Sequence, residues 1–181
     1  FCSATATKPH TTNTGNTANG LSLITSGAPT IHVVHTGDTG VTNPQLATSG
    51  QLVPVTLDLP ITSPTLTKSG WGTAVLTQPA AIDTTLAVSQ GVLKIGAGAS
   101  MTNTNVTVGN SSQLHVAGGT YTATGVTTIT NGGFSGVYVS DGAADFNRIT
   151  NTGDRDGLVK VTGGTVNIAE MLVPRSASGD I

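Results

Sequence analysis

One cysteine, Cys2, in 181 residues leaves no partner for an internal disulfide. Aromatic residues make up 3% of the chain and charged residues 9%, against about 25% charged in an ordinary globular protein. The seven Lys and Arg are scattered along the length and the formal net charge is −2, so no basic patch grips phosphate and nucleic-acid binding is excluded as an expectation. No apolar run approaches the about 18–20 residues that span a membrane. The amino end lacks the basic stretch and apolar core of a signal peptide, and Phe1 in place of an initiator Met reads as a processed or truncated chain. No ten-residue window carries a helical apolar stripe, so bundles, coiled coils and βαβ units lose support.

What the chain does have is small and β-forming: 33 Thr and 24 Gly, with Val, Ile, Leu and Ala supplying the apolar content. A core made without large aromatics suits regular ranks of aliphatic side chains, as in a stacked sheet. Residues 1–20, crowded with Thr, Asn and Gly, read as a flexible arm. Residues 21–64 carry apolar clusters broken by Pro29, Pro44, Pro54 and Pro60 and read as an irregular β entry or capping segment. From residue 65 to 181, short alternating runs such as Val92-Leu-Lys-Ile95 and Gly136-Val-Tyr-Val139 recur every 7 to 12 residues between Gly or Asn turns. The expected fold is therefore all-β, with β-solenoid repeats over 65–181.

Internal repetition supports the solenoid over a sandwich. Val88-Ser-Gln-Gly91-Val-Leu93-Lys-Ile95, Val116-Ala-Gly-Gly119-Thr-Tyr121-Thr-Ala123 and Val161-Thr-Gly-Gly164-Thr-Val166-Asn-Ile168 share a Val-x-x-Gly-x-apolar-x-apolar phrase, with Thr130-Asn-Gly-Gly133-Phe-Ser-Gly-Val137 as a degraded copy. The last two full copies lie 45 residues apart, room for two coils of about 20–25 residues, yet successive copies are spaced 28, 14 and 31.

Leu66-Thr-Lys68-Ser-Gly70-Trp-Gly72-Thr73-Ala-Val75-Leu76, followed by Thr85-Leu86-Ala-Val88-Ser-Gln-Gly91-Val-Leu93-Lys-Ile95-Gly96, resembles the autotransporter-associated β-strand repeat of bacterial passenger domains. The match covers about one sixth of the chain, and the stretch before Leu66 departs from the repeat. The resemblance implies a right-handed β-helix carried to the cell surface or beyond, where such repeats serve as stalks and adhesive or matrix scaffolds.

The densest polar cluster is Asp141, Asp145, Arg148, Asp154, Arg155 and Asp156. Its carboxylates and guanidinium groups suit a carbohydrate or calcium site, or the uronic-acid chemistry of pectate-lyase-like β-helices. Local ion pairing in a solvated loop is the favoured reading, because no calcium-loop spacing occurs. His32 and His35 sit three apart, which in a strand sends them to opposite faces, so no metal site is expected. Trp71, Tyr121, Phe134 and Tyr138 would stack on sugars only if two shared a face, core packing being the simpler fate. Asn105-Val-Thr107 and Asn110-Ser-Ser112 are glycosylation sequons, and Cys2 is a candidate for intermolecular pairing or modification. No Gly-x-Ser-x-Gly elbow or phosphate loop appears, so neither catalysis nor a cofactor is expected. The leading expectation is an extracellular or cell-surface structural or adhesive protein that associates with itself, with surface glycans as a further partner. A carbohydrate-binding or lyase-like β-helix and a spacer segment of a giant surface protein are the alternatives.

Overall fold

The computed structural model of the chain describes residues 23–24, 26–33, 54–109, 111–130, 135–152 and 158–172. Those residues form strands and turns without a helix: β1 (Leu23–Ile24), β2 (Thr30–His32), β3 (Val55–Leu57), β4 (Ile61–Ser69), β5 (Thr73–Leu76), β6 (Ala80–Val88), β7 (Gly91–Gly96), β8 (Ser100–Val108), β9 (Ser112–Ile129), β10 (Gly136–Asn151), β11 (Leu158–Val161) and β12 (Thr165–Leu172). Every pairing is parallel, and from β4 onward each residue pairs with one 19 (Ile61 to Ala80) to 24 (Ala117 to Asp141) positions further along. Parallel pairing of each coil with the next, throughout the stack, is a β-solenoid.

Each coil has three strand segments. The first face stacks β3, β5, β7, the start of β9, the start of β10, and β11. The second and third faces stack β4, β6, β8, the remainder of β9 and β10, and β12, with β1 and β2 laid over β4. The pairing register breaks at the same place in successive coils, between Ser63 and Thr65, Ile82 and Thr85, Asn103 and Val106, and Phe146 and Arg148, and these breaks are the corners between the second and third faces. The parallel stack already includes β1, β2, β3 and residues 61–63, all within the segment 21–64 that precedes the repeats read from residue 65.

Period-2 alternation sends every second side chain inward, and the coil offset lines these into columns. One column runs Leu66, Leu86, Val106, Thr127, Ile149, Met171, and another runs Leu57, Leu76, Ile95, Val116, Val139, Val161. Large and small residues trade places between coils: Tyr121 lies in register with Ala144, and Phe146 with Ala123, so the two rings meet at 5.5 Å between centroids. The abundance of Thr is explained at the corners, where its hydroxyl bonds the backbone of the preceding coil. Thr84, Thr104 and Thr130 donate to the carbonyls of Pro64 (2.7 Å), Asp83 (2.6 Å) and Val108 (3.1 Å).

Gly91 occupies the turn from the third face to the first with φ +66°, and a Cβ there would stand 2.5 Å from the Gly72 carbonyl oxygen. Gly91→Ala is expected to destabilise by about 2 kcal/mol or more in urea unfolding. Gly27→Ala, with open space around it, should stay within about 0.5 kcal/mol of the parent. Thr127 is wholly buried and its hydroxyl has no hydrogen-bond partner. Thr127→Val should therefore leave stability unchanged or raise it by about 1 kcal/mol, and a clear loss would contradict this packing.

Candidate functional site

Asp141, Asp145 and Arg148 all lie on β10 but do not converge. Asp141 stands at the corner between the first and second faces and accepts a hydrogen bond from the Gly142 amide at 2.8 Å. Asp145 points outward from the second face and accepts from Asn167 Nδ2 at 2.7 Å. Arg148 opens the third face, with Nε 2.8 Å from Glu170 Oε2 and Nη2 donating to Glu170 Oε1 at 3.1 Å. Asp145 and Arg148 thus brace β10 against β12 through two separate polar pairs. The Arg148–Glu170 side chains are 40% and 50% exposed, so their pairing contributes at most about 1 kcal/mol. Asp154, Arg155, Asp156, Asn110, Cys2, His35 and Phe134 lie outside the described residues.

Asn105 is exposed on the third face, where its Oδ1 accepts from the Val126 amide of the next coil at 3.0 Å. His32 ends β2 with Nδ1 2.8 Å from Ser69 Oγ. Among the described residues no three His, Cys, Asp or Glu stand together where they could hold a metal ion. Of the aromatic residues, Tyr121 faces inward and donates its hydroxyl to the buried Asn103 Oδ1 at 2.8 Å, and burial pushes its phenol far up. Tyr138 faces outward, between the inward-facing Val137 and Val139. Its neighbour in the preceding coil is His115, edge to face at 6.5 Å between centroids, a pairing that no spacing in the sequence announced.

The one wholly buried cation among the described residues is Lys68, which occupies an inward position in register with Val88. Its Nζ donates to the carbonyls of Ser69 (2.9 Å), Gly70 (2.6 Å) and Gln90 (2.9 Å), using all three of its donors. Gly70 and Gln90 belong to the corners of successive coils, so this ammonium clamps two turns of the solenoid together. It is the Lys of the Leu-Thr-Lys-x-Gly phrase, and its work here is structural. Burial pushes the ammonium down from 10.5 to about 8.

The two ends of the stack differ. On the amino side the inward residues Ile31, Val33 and Leu57 are at most 6% exposed. On the carboxyl side, among the described residues, β11 and β12 are each paired with β10 alone, just as β1, β2 and β3 each have a single strand partner at the other end. Val161, which continues the Val139 column, is 50% exposed, and Met171, which continues the Ile149 column, is 47% exposed. The last described coil thus exposes apolar side chains whose counterparts in the preceding coils are buried. No helix among the described residues is long and apolar enough to cross a membrane. In comparison with known proteins, no family model, no curated protein and no solved structure matches the chain.

Lys68→Met keeps the buried stem but removes the ammonium from the Gly70 and Gln90 carbonyls and leaves Ser69 with the Val33 amide alone, and is expected to cost about 2–4 kcal/mol in urea unfolding. The clamp also has a pH signature. Between about pH 8 and 10.5 the unfolded chain holds the Lys68 proton while the folded chain releases it, so stability gains from this group as pH rises through that window. The parent should show this gain relative to Lys68→Met, and parallel pH profiles of the two would refute it.

Proposed function

We propose that the chain is an extracellular, non-enzymatic β-solenoid with a structural or adhesive role, and that its last coil associates end-on with a second copy. The observation that carries this reading is the unequal covering of the two ends. Val161 and Met171 hold positions that are buried in every preceding coil of their columns, yet they are about half exposed here. Covering such a layer contributes about 25 cal/mol for each Å² of apolar surface removed from water. Among the described residues β12 has a strand on one side only, and its other edge offers amides and carbonyls that a strand from a neighbour would satisfy. The low charge of 9% places little electrostatic repulsion in the way of such stacking. The resemblance of residues 66–96 to the autotransporter-associated repeat supports the surface location and scaffold role.

Sedimentation and light scattering from micromolar to millimolar chain test the association. The parent should form oligomers or filaments at the upper end, and Val161→Lys combined with Met171→Lys should keep it monomeric with the same circular dichroism. A parent that stays monomeric throughout, or a double variant that associates equally well, would overturn end stacking. Removal of residues 1–20 should leave the association intact, whereas its loss would show capture of that segment instead.

A further inference from the structure

The outward face of the first strand stack carries a second feature, independent of end stacking. The register places Val75, Lys94, His115, Tyr138 and Lys160 in one column, one residue from each of five successive coils. Neighbouring strands are about 4.8 Å apart, so the backbones of Lys94 and Lys160 stand about 14 Å from one another. Four Lys and Arg fall among the described residues. Lys68 is enclosed by carbonyls and Arg148 is paired with Glu170. The other two are Lys94 and Lys160, and neither has a carboxylate partner among the described residues. Among the described residues, the two cations without a carboxylate partner therefore fall on one line of one face.

The residues between them are suited to something other than charge. His115 is about half-buried, and burial, reinforced by the Lys94 ammonium, pushes its imidazole below the ordinary histidine range, so at neutral pH it is an uncharged hydrogen-bonding group. Its Nε2 lies 2.8 Å from Ser140 Oγ, and its ring meets the Tyr138 ring edge to face. The strip thus reads cation, polar ring, aromatic ring, cation, held on a rigid parallel sheet. A ligand that matches it is extended, carries anionic groups at intervals, and presents an uncharged, hydroxyl-bearing ring between them whose apolar face packs on tyrosine.

We propose that this column is a binding strip for an acidic polysaccharide, lying along the solenoid axis with its carboxylate or sulfate groups on Lys94 and Lys160 and a sugar ring on Tyr138. A nucleic acid is the poorer match, because its closely spaced phosphates call for more cations than two on a chain of net charge −2. A neutral glycan would leave the two ammonium groups unused.

Isothermal titration of the full chain tests the strip with four probes: an oligouronate, a sulfated oligosaccharide, the carboxyl-reduced form of the oligouronate, and a single-stranded oligonucleotide. At least one acidic glycan should bind, weaken with added salt, and lose tenfold or more in affinity in Lys94→Gln combined with Lys160→Gln. Tyr138→Leu should weaken the same ligand several-fold while Tyr138→Phe retains it, and Arg148→Gln, off the strip, should bind as the parent does. Preference for the oligouronate or for the sulfated ligand identifies which anion the lysines hold. The proposal is overturned if neither acidic glycan binds, if the carboxyl-reduced glycan binds as tightly, or if the double variant binds unchanged. Oligonucleotide binding that equals glycan binding and depends on the same lysines would overturn it in favour of a general polyanion site.

Discussion

Everything in this molecule follows from the backbone ladder that joins each coil to the next. A parallel strand makes its hydrogen bonds with neighbours on both sides, so a coil is complete only when another lies on each side of it. That constraint fixes the offset of 19 to 24 residues, which in turn decides which side chains form columns. Inward columns become the core without any single large residue dominating it. Outward columns become surfaces whose composition is drawn from residues far apart in the chain. Among the described residues the ladder runs from β1, β2 and β3 at one end to β11 and β12 at the other.

The corners impose the second requirement. Three corners per coil must bend the chain from one face to the next without opening the ladder, and the described residues meet this with glycine at left-handed positions, with Thr and Ser hydroxyls bonded to the preceding coil, and once with a buried lysine. Lys68 is unusual in that it stabilises two corners together, and an apolar side chain of similar length has no donors with which to do so. Among the described residues cations are used sparingly: one inside the stack, one in an exposed ion pair, and two on the first face.

Much of the fold was readable from the residues, and the limits of that reading have physical causes. Alternation in Val92–Ile95 and Gly136–Val139 gave strands with a buried face, and the two halves of the Leu66–Gly96 phrase are successive coils in register, Leu66 on Leu86 and Leu76 on Ile95. The uneven spacing of the Val-x-x-Gly copies has a structural explanation. Val88–Gly91 turns from the third face to the first, whereas Val116–Gly119 and Val161–Gly164 turn from the first face to the second, so one phrase was counted at two different corners. The acidic residues Asp141 and Asp145 looked like a cluster because they are close along the chain, but a corner separates them. The line from Lys94 to Lys160 was invisible for the converse reason, since its members are separated by a coil each and only the exact offset aligns them.

The account stands or falls on whether the apolar layer of the last described coil is open to association. Residue-resolved amide hydrogen exchange at low and at high protein concentration measures this directly. The account expects β6 to β9 to be protected at both concentrations, with β12 exchanging rapidly in the dilute chain and gaining protection as the concentration rises. Protection of β12 that equals that of β8 in the dilute chain, or that does not change with concentration, would contradict it.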